Sequence, residues 1–404
     1  MKYKEKTHCR VCGSSDLKMI LDLKNQPLAN SYHEPNEELE EYPLKLNLCK
    51  HCYHSQLSVV VDPDEMFKHY LYVSGTTDTL QIYFERFAHS VLYEMRSNGL
   101  SEQGNVLDIA CNDGTQLESF QRMGWSTYGI DPAKNLYEIS SKKGFTKVIC
   151  DYFNDDSASK LGAKMDVIIA QNVFAHTDDV HSFLQNCKSI SHDGTKIFIQ
   201  TSQANMFANN EFDTIYHEHL SFFNISSMRA CATINGLVLE SANQTDIHGT
   251  SYVFVLSSIK DKYTSADLAL LKEKKEGKMS LEFYEKFAEN SKTVVNALKE
   301  CIYMYKERGY SIVGYGAAAK ANTLLNFGEI DLDFIVDDNP LKQGLLTPGM
   351  NIEIKGSESL RDENKMLIIP LAWNFYDEIK SRVEKERNNS EDVFVKYFPK
   401  LRYE

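Results

Sequence analysis

Two doubly wound α/β domains of Rossmann type, preceded by a small zinc-binding module, are what this sequence predicts. Three observations carry that expectation. From Gly104 onward, strand-sized apolar runs alternate with helix-sized amphipathic ones, as a parallel sheet covered by helices requires. The alternation starts afresh at Ser311, after one long amphipathic stretch. Ahead of both lie two C-x2-C knuckles. The chain is accordingly divided at 1–75, 76–260 and 261–404.

Composition sets the frame. A chain of 404 residues with 42% hydrophobic content supports two or three buried cores. Its longest apolar runs, such as Asp166-Val167-Ile168-Ile169-Ala170, fall far short of the roughly 20 residues of a membrane span. The polar, lysine-bearing start does not resemble a signal peptide, so a cytoplasmic enzyme without a membrane partner is expected. A formal charge of −13 and the lack of a basic stripe speak against nucleic acid as a partner.

Cys9-Arg10-Val11-Cys12 and Cys49-Lys50-His51-Cys52 each present two thiols from one tight turn. Together Cys9, Cys12, Cys49 and Cys52 complete the four-sulfur shell that zinc accepts, closed and structural, with a redox pair as the rival reading. A hydroxyl-rich linker, Tyr70 to Asp78, leads into a helix-like run to about Asn98. Strands are then expected at 105–110, 126–130, 146–150, 166–170 and 195–200, with helices at 115–123, 135–143 and 179–190. Apolar residues from Leu281 to Tyr305 recur at three- and four-residue steps, a long helix ended near Gly309. Further strands follow at 333–336, 366–370 and 393–396. The two halves echo each other: Ile130-Asp131-Pro132 in one, Asp337-Asp338-Asn339-Pro340 in the other.

The turn Asp108-x-Ala110-x-Asn112-Asp113-Gly114 follows the first strand of the first unit. It lacks the three-glycine pyrophosphate fingerprint, so S-adenosylmethionine fits it better than a dinucleotide, although NAD or no cofactor remains open. Asp131, ending the second strand, is placed for ribose hydroxyls and Asp151 for the adenine edge. Gln171 and Asn172 are expected on the same ligand.

Downstream, Tyr216-His217-Glu218-His219 gathers two imidazoles, a carboxylate and a phenol. Carbon becomes a nucleophile only when a base removes a proton beside a ketone, so this cluster next to a methyl donor points to carbon methylation. A metal site on His217 and His219, or a merely polar turn, are the competing readings.

Taken together, the paired knuckles, Asn112-Asp113-Gly114, Tyr216-His217-Glu218-His219-Leu220-Ser221 and Gly314-Tyr315-Gly316-Ala317-Ala318-Ala319-Lys320 resemble the three-domain sugar C-methyltransferases of deoxysugar biosynthesis. That resemblance implies methyl transfer from S-adenosylmethionine to C3 of a nucleotide-linked 4-keto-6-deoxyhexose, with thymidine diphosphate or guanosine diphosphate as the nucleotide. It makes His219 the base for the C3 proton, with Glu218 orienting it and adjacent His217 as the alternative. Tyr216, His176 and Tyr72 would line the sugar and stabilise the enolate or relay protons. The C-terminal domain would close over the nucleotide, with Gly314, Tyr315, Gly316 and Lys320 at the diphosphate and Asp337, Asn339 and Lys342 nearby.

Overall fold

The computed structural model describes residues 2–67, 74–76, 78–101, 103–247, 249–258, 264–361, 364–387 and 389–403. After a two-stranded pairing of Tyr3–Glu5 with Val59–Val61, the N-terminal module is a four-stranded antiparallel sheet in the order Ser221–Phe222, Ser55–Leu57, Glu41–Cys49, Leu17–Pro27. Its first member comes from the motif region far downstream. Ser221 pairs with Gln56 and Phe222 with Ser55, so the segment after His219 is an added edge strand of the N-terminal module. Nothing in its local sequence announced this pairing, because a two-residue strand carries no readable period.

The central sheet has seven strands in the order Val238–Thr245, Ser251–Ser257, Ser191–Thr201, Met165–Gln171, Asn105–Ile109, Ser126–Ile130, Lys147–Ile149. The last five are parallel, as near-continuous apolar runs such as Met165–Gln171 demand of strands buried on both faces. Ser251–Ser257 runs antiparallel to both of its neighbours. The sheet is therefore mixed, and Val238–Thr245 and Ser251–Ser257 went unpredicted: Val238–Thr245 is polar over half its length and shifts register between Leu239 and Ser241. Strand order reverses between Asn105–Ile109 and Met165–Gln171, the switch point at which such sheets open a crevice.

Ser280 caps the long helix Leu281–Lys306 by accepting the Phe283 amide, and the helix buries Tyr284, Phe287, Val294, Leu298, Ile302 and Tyr305 along one stripe. Chain direction then reverses at Gly309, where φ is 77°. The C-terminal sheet follows in the order Ile354–Lys355, Phe334–Val336, Ser311–Tyr315, Met366–Pro370, Val393–Lys396, Arg402–Tyr403, parallel except at the last pair. Its switch point lies between Ser311–Tyr315 and Met366–Pro370.

One apolar cluster joins all three parts. Leu21, Leu44 and Leu57 of the N-terminal sheet, Phe212, Ile215 and Leu220 ahead of and within the motif, and Leu298, Leu324 and Ile369 of the C-terminal part pack together. The motif is thereby gripped from both sides.

Candidate active site

A cavity of about 350 Å³ opens at the central switch point, a volume suited to a nucleoside-bearing ligand. Asp108, Ala110 and Asn112 line it from the first strand's end, Asp131 from the second, Asp151 from the third, and Gln171 and Asn172 from the fourth. Asp131 closes the floor: Oδ2 accepts the Asn112 amide at 2.9 Å and Oδ1 the Ala133 amide at 2.9 Å. Burial, then the charges of Asp131 and Asp113, push the Asp108 pKa well above the usual carboxylate range. Ala110 holds φ at 60°, a left-handed conformation in which its methyl group carries a steric cost.

Asp113 and Gly114 are not part of this wall. Asp113 accepts from Thr115 Oγ1 at 2.8 Å, heading the helix Thr115–Arg122, and borders a separate polar recess. At Gly114 φ is 83° and a Cβ would meet the Phe145 ring at 2.4 Å, so packing requires glycine there. Tyr152, Phe153 and Phe183 do line the cavity, and no spacing pattern singled them out among 21 phenylalanines and 22 tyrosines.

Beside the cavity stands the imidazole pair. His176 is in its wall, and the His176 and His219 rings meet edge to face with centroids 5.0 Å apart. His219 Nδ1 lies 2.7 Å from the Thr214 carbonyl, which can only accept, so Nδ1 carries the proton. Nε2 is then the basic nitrogen, and the Tyr216 hydroxyl donates to it at 3.0 Å. Burial, aided by His176 and Lys320, holds the His219 pKa well below the ordinary imidazole value; burial alone takes His176 down to about 4. Both rings are neutral at pH 7.

The other motif residues diverge. His217 sends Nε2 to the Tyr42 carbonyl at 3.3 Å and packs its ring against Tyr42, facing the N-terminal sheet. The pair is in a turn, not on a strand, and so shares no face. Glu218 does not orient His219, a task that falls to the Thr214 carbonyl; its Oε1 accepts instead from Asn30 Nδ2 at 2.5 Å, and burial lifts its pKa to about 7. Neither Thr214 nor Asn30 was legible beforehand, since one acts through its backbone and the other arrives from a different part of the chain. Tyr72 lies outside the described residues.

The C-terminal turn repeats the central one. Asp337 Oδ2 accepts the Ala317 amide at 2.7 Å and Oδ1 the Asn339 amide at 2.8 Å, the same double clamp that Asp131 makes. Lys342 donates to the Ala317 carbonyl at 2.7 Å, and so does Tyr32 at 2.5 Å. Gly316 has φ 93° and lies so close to Ala372 that a Cβ would come within 2.8 Å. Gly314 is enclosed by Leu371, Ile335 and Leu332, while the Tyr315 hydroxyl turns away to Asp338 at 3.1 Å.

Cys9, Cys12, Cys49 and Cys52 bring their sulfurs within 4.8 Å of one another, and no other group of ligands meets this test among the described residues. The Cys9–Cys52 and Cys12–Cys49 sulfurs are 3.6 and 3.5 Å apart. A tetrahedral shell with zinc–sulfur bonds of about 2.3 Å has edges of about 3.8 Å, so the cluster fits the ion. All four positions being sulfur, it is a closed site.

Three family models match in succession along the chain: a zinc binding domain at residues 9–67, a methyltransferase domain at 81–242 and a C-methyltransferase C-terminal domain at 246–399. The chain belongs to the three-domain S-adenosylmethionine-dependent C-methyltransferases. Among curated relatives of this C-methyltransferase is the C-methyltransferase NovU of Streptomyces niveus, 27% identical over 98% of this chain and 96% of its own. A ubiquinone biosynthesis O-methyltransferase of Rhizobium johnstonii is 32% identical over 106 residues, which is 26% of this chain and 43% of that one. Among solved structures, magnesium protoporphyrin IX methyltransferase of Synechocystis matches 46% of this chain and 89% of its own at 13% identity, with a TM-score of 0.36. The cavity at the central switch point is lined mainly from the matched methyltransferase domain, and the four cysteines of the matched zinc binding domain are the zinc site of the C-methyltransferase.

Proposed function

We propose that this C-methyltransferase methylates C3 of a nucleotide-linked 4-keto-6-deoxyhexose, with thymidine diphosphate as the nucleotide. One observation carries the reading: a neutral, buried imidazole, with Nδ1 pinned on the Thr214 carbonyl and a basic Nε2 that accepts from the Tyr216 hydroxyl, stands one ring away from the cavity we assign to the cofactor. O- and N-methylation ask less of a base, because oxygen and nitrogen already carry a lone pair while carbon must first lose a proton. When bound, S-adenosylmethionine supplies an electrophilic methyl group.

His219 Nε2 removes the proton from C3, which the adjacent ketone acidifies. Tyr216, already donating to Nε2, and His176 border the same space and can relay protons or meet the forming oxyanion. Glu218, whose pKa burial lifts to about 7, accepts from Asn30. The nucleotide half is assigned to the C-terminal switch point, where Lys342 and Asn339 flank the clamped turn. Both halves are within one molecule because Tyr32 of the N-terminal module touches that turn and Asn30 touches Glu218.

In D2O without methyl donor, the protein should exchange the C3 proton of thymidine-diphosphate-linked 4-keto-6-deoxyglucose, seen as loss of its proton signal. His219→Asn should abolish this exchange and turnover while leaving S-adenosylmethionine affinity within about threefold, since general-base removal costs roughly 10²–10⁴ in rate. Methylation of the C4-reduced sugar would overturn the reading in favour of O-methylation. In a thermal-shift series, thymidine diphosphate should stabilise more than guanosine or cytidine diphosphate.

A further inference from the structure

The C-terminal lobe sends one cation toward the base. Lys320, in the first turn of the helix Ala319–Gly328, holds Nζ 4.3 Å from the centroid of the Trp373 ring. Among the described residues its ammonium makes no hydrogen bond and no close ion pair. Asp213 and Glu211 act on it through space, and its own charge reaches His219. It is a half-buried cation with unused donors.

Its support is built in layers. Trp373 Nε1 donates to Asp213 Oδ2 at 2.7 Å. Asp213 is fully buried, and its other oxygen has no hydrogen-bond partner among the described residues. It occupies the turn Phe212–Thr214, whose last carbonyl is the one that fixes the tautomer of His219. Lysine, indole, carboxylate and base are therefore tied through the adjacent residues Asp213 and Thr214.

The diphosphate is the other destination for such a lysine, but the turn beside it can offer a nucleotide flanking side chains such as Asn339 and Lys342 rather than free backbone amides. The amides of Gly316, Ala317 and Ala318 are all taken, by the Val336 carbonyl, the Asp337 carboxylate and the Gly316 carbonyl. A phosphate cradle needs such amides free.

We propose that Lys320 is the cation that meets the substrate's ketone oxygen and takes up its charge as His219 removes the neighbouring proton, with Trp373 and Asp213 as positioning residues. The proposal rests on the enolate reading above. In that step the ring C–H bond breaks and the proton goes to Nε2. The bonding pair becomes a carbon–carbon double bond, and the carbonyl pair moves onto oxygen, where the ammonium stabilises it.

The test uses the full-length zinc-loaded protein with S-adenosylhomocysteine, in D2O, with thymidine-diphosphate-linked 4-keto-6-deoxyglucose as probe. At saturating probe, Lys320→Met should slow proton exchange by about a hundredfold or more, the usual loss for an oxyanion-stabilising donor. Lys320→Arg, which keeps the charge, should retain a measurable part. S-adenosylhomocysteine affinity should hold in both, because the cofactor crevice draws no wall from the C-terminal lobe. Trp373→Phe and Asp213→Asn should lower kcat with KM nearly constant and move the acid limb of the pH profile, as loss of mere packing would not. Wild-type exchange by Lys320→Met at saturation, together with thymidine diphosphate binding weakened about tenfold or more, would make the lysine a phosphate ligand and overturn the proposal. If the unsubstituted protein itself exchanges nothing, the enolate reading fails first and takes this one with it.

Discussion

An imidazole can serve as a base only while it is neutral, and burial is what keeps His219 so. Desolvation is the largest cause of its lowered pKa, with the His176 ring and the Lys320 charge adding to it. The direction of the shift settles the direction of the pH effect. Protonation of Nε2, which would stop proton abstraction, is postponed to lower pH than for an ordinary imidazole. In a pH profile of kcat the limb due to His219 should therefore appear only below about 6.5. An acid limb at or above that value that persists in Glu218→Gln, where the carboxyl lifted to about 7 is gone, would show the base to be a solvated histidine. At this scale His176 was named only by the family resemblance, whereas the motif was legible because it gathers its proton-moving groups in consecutive positions. The tautomer was not, because it depends on a backbone oxygen that every residue possesses. Nor could Glu218 be placed, since its partner Asn30 is distant in sequence.

At the scale of elements, the strand Ser221–Phe222 links metal to chemistry. It pairs with Ser55–Leu57, directly after the second knuckle, and His54 Nε2 lies 3.2 Å from Ser221 Oγ. Arg10, inside the first knuckle, donates to the Leu57 carbonyl at 2.9 Å and pairs with Asp178, a residue of the cofactor crevice. The zinc site thus shapes the shelf that carries His219 two residues upstream. Replacing Cys49 with Ser should reduce metal content, measured by mass spectrometry, from roughly one zinc per chain and lower Tm and kcat together. Full turnover in zinc-free protein would disconnect the two. The parallel strands and the long helix were readable because their apolar periods are strong. The edge strand was not, because tertiary pairing alone defines it.

For the whole molecule, the question is why a cofactor fold needs two further lobes. Among the described residues the central cavity takes no wall from either of the other sheets, yet the segment carrying the proposed base does lean on the C-terminal lobe: Thr323 of the C-terminal helix donates to the Ile215 carbonyl at 3.0 Å, and Asn322 reaches the Ala29 carbonyl at 2.7 Å. The loop before the motif is therefore held by one lobe while Glu218 is held by the other. Asn30→Asp isolates that long-range coupling. It would set a second carboxylate against Glu218 in a buried site, where two like charges cannot both ionise, and so raise the Glu218 pKa further. Turnover at pH 7 should fall by about tenfold or more, each factor of ten corresponding to about 1.4 kcal/mol in the barrier. Calorimetry should find S-adenosylmethionine affinity unaltered, because Asn30 is not in the crevice wall. Raising the pH should recover part of the lost rate if Glu218 acts as a carboxylate, and none if it acts as an acid. Equal loss of cofactor affinity and turnover would mean that the N-terminal module only holds the chain together.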